Sequence, residues 1–168
     1  MEENPQKRMG SHMLIGAWIL ILAALVAIFG SWEKKQFNPN QNLTISSDST
    51  VVLERNRMHH YVASGIVNQT PVVFLLDTGA TDVVVPAELA KEIGLKAGYR
   101  STAITANGTV EVRQTVIDTL QLGSISLRDV RASINPGMDG NEILLGMSAL
   151  KDLEFTQRGD TLTLRQLH

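Results

Sequence analysis

Asp77-Thr78-Gly79-Ala80 stands at the end of the apolar run Val72-Val73-Phe74-Leu75-Leu76. A strand that empties into an Asp, a small hydroxyl residue and a Gly places a carboxylate at the end of an otherwise apolar element. Burying one unpaired ionised carboxylate there costs several kcal/mol. Two carboxylates sharing a single proton avoid that penalty, and leave one base and one acid aimed at the same water. Asp77 is therefore the candidate catalytic group. Gly79 permits a tight turn and close approach of a second chain or a substrate. The Thr78 hydroxyl can reach neighbouring backbone and brace the loop, which Ala80 completes. Taken alone, Asp-Thr-Gly is also a common turn. Its context sets it apart, because Ala80-Thr81-Asp82-Val83-Val84-Val85-Pro86 follows at once.

Other chemistries find little support. The chain has no Cys, so thiolate nucleophiles, zinc–thiolate sites and disulfides are excluded. His59 and His60 are adjacent in an expected strand, so they point to opposite faces and chelate one metal poorly. Neither a nucleophile elbow nor a phosphate-binding glycine loop is present. A formal net charge of −2 and a pI near 6.1 give no electrostatic case for nucleic-acid binding. We expect no metal and no cofactor.

Two further segments follow in order, Thr105-Ala106-Asn107-Gly108 and Ile143-Leu144-Leu145-Gly146-Met147. With the Asp77 loop they make roughly residues 60–165 resemble the retropepsin-like aspartic proteases, more closely the bacterial, membrane-anchored, single-domain type. The resemblance implies a mainly β fold, a closed, barrel-like domain with one or two short helices. It implies a second signature at Leu145 and Gly146, on a strand that passes beside the Asp77 loop and supports it. Ala106, Asn107 and Gly108 look like the tip of a flap over the substrate; Asn-Gly is in itself a strong hairpin signal. Asp82 either contacts substrate backbone or caps the turn. Val83, Val84, Ile104 and Leu144 are equally eligible as pocket walls or as core. The retroviral pattern has an acidic residue where Thr81 stands and an Arg where Met147 stands, an ion pair that strengthens the dimer. Both are missing here together.

Counting the motif decides the architecture. The other Asp-Thr pairs, Asp118-Thr119-Leu120 and Asp160-Thr161-Leu162, lack the Gly, and no internal repeat is visible in 168 residues. The second carboxylate must come from a second copy of the chain, in an isologous homodimer.

Outside this region, a charged N-terminal tail (1–12) precedes an uncharged apolar run of about 17 residues, at the short end of a membrane span. It shows no polar position at every turn, so it reads as a transmembrane signal anchor over 13–32 rather than a core helix. Lys7 and Arg8 on one side are balanced by Lys34 and Lys35 on the other, so charge does not orient it. The resemblance implies a bacterial inner membrane location, single-pass, with the catalytic domain periplasmic. Residues 33–50 are polar, without hydrophobic period, and read as a flexible linker. The protease domain is expected over 51–168.

Within that domain, 68–71 reads as a hairpin turn and 86–94 as a short helix between Pro86 and Gly94. A second short helix is expected over 148–152, and a last hairpin turns at Arg158-Gly159-Asp160. These readings converge on a membrane-anchored, homodimeric aspartic endopeptidase acting on peptide or protein substrates. The alternative is a non-catalytic peptide-binding or scaffold module that keeps the fold.

Overall fold

A computed structural model of the chain describes residues 5–44, 48–105 and 108–167, with side chains from residue 12 onward. The chain divides into two compact units, Met1–Gln36 and Phe37–His168. The described residues of the first belong to a single helix, α1 (Pro5–Phe37). Its 26-residue apolar part, His12–Phe37, is long and apolar enough to cross a membrane. At 1.5 Å per residue that part measures about 39 Å, more than the roughly 30 Å of a hydrocarbon core. Its large side chains, from Met13 to Phe29, are exposed. The helix runs beyond the expected end at residue 32.

In the second unit, Val- and Ile-rich segments form ten strands among the described residues. After β1 (Thr50–Glu54), β2 (Val62–Val67) and β3 (Thr70–Leu76) make a hairpin with Val67 opposite Thr70. Its turn is the pair Asn68-Gln69, at φ 45° and 72°, rather than the four residues 68–71. β4 (Val83–Pro86) leads into α2 (Ala87–Ile93), which stops at Gly94 in the left-handed conformation, φ 78°. Only Gly takes that conformation without a steric penalty. β5 (Arg100–Thr105), β6 (Gly108–Leu122) and β7 (Ile125–Asn135) form a meander. β8 (Glu142–Leu145) runs into α3 (Met147–Leu150), followed by the hairpin β9 (Leu153–Arg158) and β10 (Thr161–Gln166).

The large sheet has the order β2-β3-β8-β4-β7-β6-β5, and an extra β2–β6 pairing closes six of these strands into a barrel. Closure depends on Gly65, where a Cβ would lie 2.4 Å from the Gln121 carbonyl oxygen and 2.4 Å from the Phe74 ring. The expected mainly β, barrel-like fold with short helices is the fold observed. Phe74, Ile117, Leu120, Ile143 and Leu145 fill the barrel. A separate three-stranded sheet, β1-β10-β9, adds Val51, Leu53, Leu162 and Leu164 to the core.

Two expectations need correction here. The polar stretch after the helix is not a linker along its whole length. Asn38 and Asn40 are buried, and Asn40 bridges to Ala63 beside β2. The Asn40 side chain donates to the carbonyls of Glu54 (2.9 Å) and Val62 (2.7 Å) and accepts from the Glu54 N–H (2.7 Å). Residues 45–47 lie outside the described residues. His59 and His60 sit in a turn, with His59 at φ 66°, and not in a strand.

Candidate active site

The end of β3 is positioned by two parallel and antiparallel pairings at once. β8 lies between β3 and β4, parallel to the first, with Leu76 opposite Leu145, and antiparallel to the second, with Val84 opposite Leu144. The loop from Asp77 to Asp82 must therefore pass over the end of β8. Contact is close: the Asp77 N–H donates to the Leu145 carbonyl (3.2 Å), and the Met147 and Ser148 N–H groups donate to the carbonyls of Ala80 (2.8 Å) and Thr81 (2.9 Å). Gly146 makes this possible. A Cβ there would lie 2.1 Å from the Asp82 carbonyl oxygen and 2.6 Å from that of Ala80.

The loop is also held from within. The Gly79 N–H donates to the Asp77 Oδ1 (2.9 Å), and the Ala80 N–H to the Asp77 carbonyl (3.2 Å). This backbone donor holds the carboxylate in one orientation. Asp77 is half-buried, while Thr78 and Gly79 are exposed, so within one chain the acid is not sealed from water. Its loop sits at the rim of the barrel, not within it. The Thr78 hydroxyl makes no hydrogen bond among the described residues.

Asp77 opens on a cleft of about 690 Å³. Gly79, Ala80, Thr81, Asp82 and Val84 form one wall; residues 101–105 of the exposed edge strand β5 form the other. Leu144, Ser133 and Asn135 line the floor. Of the apolar candidates, Val84, Ile104 and Leu144 line this cleft and Val83 is fully buried core. Leu145 is buried and, with Gly146, supports the loop from behind, without lining the cleft.

The β5 strand that walls the cleft pairs with β6. Thr105 pairs with Gly108, and the Thr105 hydroxyl donates to the Gly108 carbonyl (2.7 Å). Gly108, at φ 111°, therefore belongs to β6. Ala106 and Asn107 lie outside the described residues.

Sequence reasoning left Asp82 with two roles, and its main contact is a third. Its Oδ1 accepts from Nε of Arg131 on β7 at 2.6 Å, with the carboxylate side chain 15% exposed. Nothing in the sequence links residues 49 positions apart. Ser148 was missed as well: its Oγ accepts from the Val83 N–H (2.9 Å) and donates to the Arg131 carbonyl (2.7 Å), tying β4, β7 and α3 together. Its place two residues after Gly146 was the available signal. Among the described residues no group of three or more His, Asp or Glu side chains is arranged to hold a metal ion.

The profile of the family described as gag-polyprotein putative aspartyl protease matches residues 63–152, more than half of the chain. A crystal structure of a retropepsin-like aspartic protease from Rickettsia conorii superposes with a TM-score of 0.61 at 28% identity, over 70% of this chain and 90% of that one. An uncharacterized protein from the cobV 5′ region of a Sinorhizobium species is 29% identical over 167 residues, 90% of this chain and 72% of the relative. Another uncharacterized protein, from Rickettsia prowazekii, is 28% identical over 105 residues, 60% of this chain and 44% of the relative.

Proposed function

The chain belongs to the retropepsin-like aspartic proteases, and on that premise we propose that it is a membrane-anchored, homodimeric aspartic endopeptidase. One observation carries the reading. Each chain offers a single Asp-Thr-Gly carboxylate, Asp77, hydrogen-bonded by Gly79 and opening on a cleft walled by an exposed edge strand. Half a dyad per chain, at an unsealed rim, suits completion by a second copy.

In the dimer, one Asp77 is ionised and Asp77 of the partner subunit is protonated. The ionised carboxylate takes a proton from the water as its oxygen attacks the scissile carbonyl carbon. The protonated one gives its proton to the carbonyl oxygen, so the tetrahedral intermediate is a neutral diol. In breakdown, the first carboxyl protonates the amide nitrogen and the diol returns a proton to the second. The C–N bond breaks, and the dyad regains its starting state. No covalent enzyme intermediate forms. The reaction has no step that requires a metal or a cofactor.

Residues 101–105 would hold an extended peptide by adding it to the β5 edge, with the β5–β6 hairpin as flap over it. Gly79 and Ala80 hold the loop through their N–H groups, Thr78 stands exposed between them and Asp77, Asp82 shapes one wall, and Leu145 and Gly146 fix the loop from below. The helix α1 would anchor the enzyme in a bacterial inner membrane with the protease domain on the periplasmic side.

The test is peptide-library cleavage by the full chain in detergent micelles. Asp77→Asn should lower the rate at least about a hundredfold, the usual worth of a positioned acid–base group. Wild-type rates in that variant would eliminate the chemistry.

A further inference from the structure

Pairing across the sheet places four cleft residues in one row. Val84 on β4 lies opposite both Leu144 on β8 and Ser133 on β7, and Ser133 lies opposite Gln114 on β6. Cross-strand partners present their side chains on the same face, and all four line the cleft. Asn135, two residues beyond Ser133 and so on that same face, lines it as well. Leu144 stands opposite Leu75, two residues before Asp77. The row therefore starts apolar beside the catalytic loop, with Leu144 and Val84, and ends polar, with Ser133 and Gln114.

The polar end has hydrogen-bonding capacity to spare. Ser133 is only 3% exposed, yet its hydroxyl makes no hydrogen bond among the described residues. The Gln114 backbone is committed: its N–H donates to the Tyr99 carbonyl (3.0 Å), and its carbonyl accepts from the Gly98 N–H (2.8 Å). Its side-chain amide has no partner among the described residues. Asn135 Oδ1 accepts from the Gly137 N–H (2.9 Å), which leaves the Nδ2 donors over. A polar group as buried as Ser133 costs free energy unless water or a ligand meets it.

Charge narrows what that ligand is. Among the described residues that line the cleft there is no Lys, Arg or His, and the acids are Asp77 and Asp82. The Asp82 carboxylate is already engaged by Arg131 at 2.6 Å. An acidic side chain finds no cation here, and a basic one finds Asp82 taken. An aliphatic side chain would leave the three polar groups dry and unpaired. A carboxamide donates and accepts at once, and so answers a hydroxyl, an amide and an NH₂ together.

We propose that this end of the cleft is a carboxamide-selecting subsite, which takes a Gln or Asn side chain of the peptide substrate. The proposal rests on the endopeptidase reading above and adds which side chain the substrate carries. The stem of that side chain packs on Val84, and its amide reaches Ser133, Gln114 and Asn135. Neighbouring strands lie about 4.8 Å apart, so Val84 and Gln114 both stand within one side chain's length of Ser133. In the homodimer each copy contributes one such pocket, so the preference recurs at two positions symmetric about the scissile bond.

The test uses the full chain in detergent micelles. A peptide library first locates the positions that select most strongly. Three peptides then carry Gln, Met or Glu there, side chains of similar length that differ in their terminal group. Wild type should cleave the Gln peptide with kcat/KM at least about tenfold above both others. Gln114→Met should shift the ratio about tenfold toward the Met peptide, a gain that misfolding cannot produce, and Ser133→Ala should cut the Gln advantage about threefold. Equal cleavage of the Gln and Met peptides by wild type, or a Gln preference that both variants keep, would overturn the subsite and leave the endopeptidase standing. Cleavage that survives Asp77→Asn, or no cleavage at all, would overturn the reading beneath it and the subsite with it.

Discussion

Replacing Asn40 by Ala tests whether the segment after the helix is part of the folded domain. The Asn40 side chain makes three hydrogen bonds, to Glu54 twice and to Val62 once, in a residue only 6% exposed. A typical bond contributes about 1 kcal/mol net, and a buried group left without a partner costs about 1–3 kcal/mol. The Val62 carbonyl is buried with its donor gone, whereas Glu54 is exposed enough for water to replace part of the loss. The sum is about 2–4 kcal/mol. For a domain of this size each kcal/mol moves the melting temperature by about 3–5 °C, so Asn40→Ala should melt about 6–20 °C below wild type. The exposed Asn42 makes the control, and Asn42→Ala should stay within about 0.5 kcal/mol. Thermal unfolding of the full chain in micelles, followed by far-ultraviolet circular dichroism, reads both. Equal midpoints for the two variants would refute the argument that this segment belongs to the domain. A fragment beginning at residue 50 should share the defect, and one beginning at residue 37 should not.

Two further substitutions probe the support beneath the Asp77 loop. Gly146→Ala forces its Cβ against the Asp82 carbonyl oxygen, 2.1 Å away, so the loop must shift by about 1 Å; peptide cleavage should fall about a hundredfold with the domain still folded, and unchanged cleavage would count against the placement. Ser148→Ala orphans the buried Val83 N–H and removes a second bond to Arg131, and should lower unfolding stability by about 2 kcal/mol in a urea titration. A loss under 0.5 kcal/mol would mean that this hydroxyl does not tie β4 to β7.

What was legible in the sequence had a local cause. A run of Val, Phe and Leu ending in Asp-Thr-Gly specifies a strand and the carboxylate at its tip, because both follow from neighbouring residues. Pro86 and Gly94 bracket α2 for the same reason, since each sets its own backbone angle. That each chain offers one Asp-Thr-Gly carboxylate was legible as well, by counting the motif. Turn frames were less secure: the turn at Asn68-Gln69 was fixed by the Val67–Thr70 pair that closes the hairpin, a choice the turn residues alone leave open.

The tertiary structure decided whatever depends on contacts between distant residues. Only it inserts β8 between β3 and β4, so that Gly146 touches the Asp77 loop. Only it pairs Asp82 with Arg131 across 49 positions, and turns Asn38 and Asn40 from apparent linker into anchors. Hydrophobic periodicity reports which side chains avoid water, and it is blind to a buried amide whose value lies in the backbone groups it satisfies.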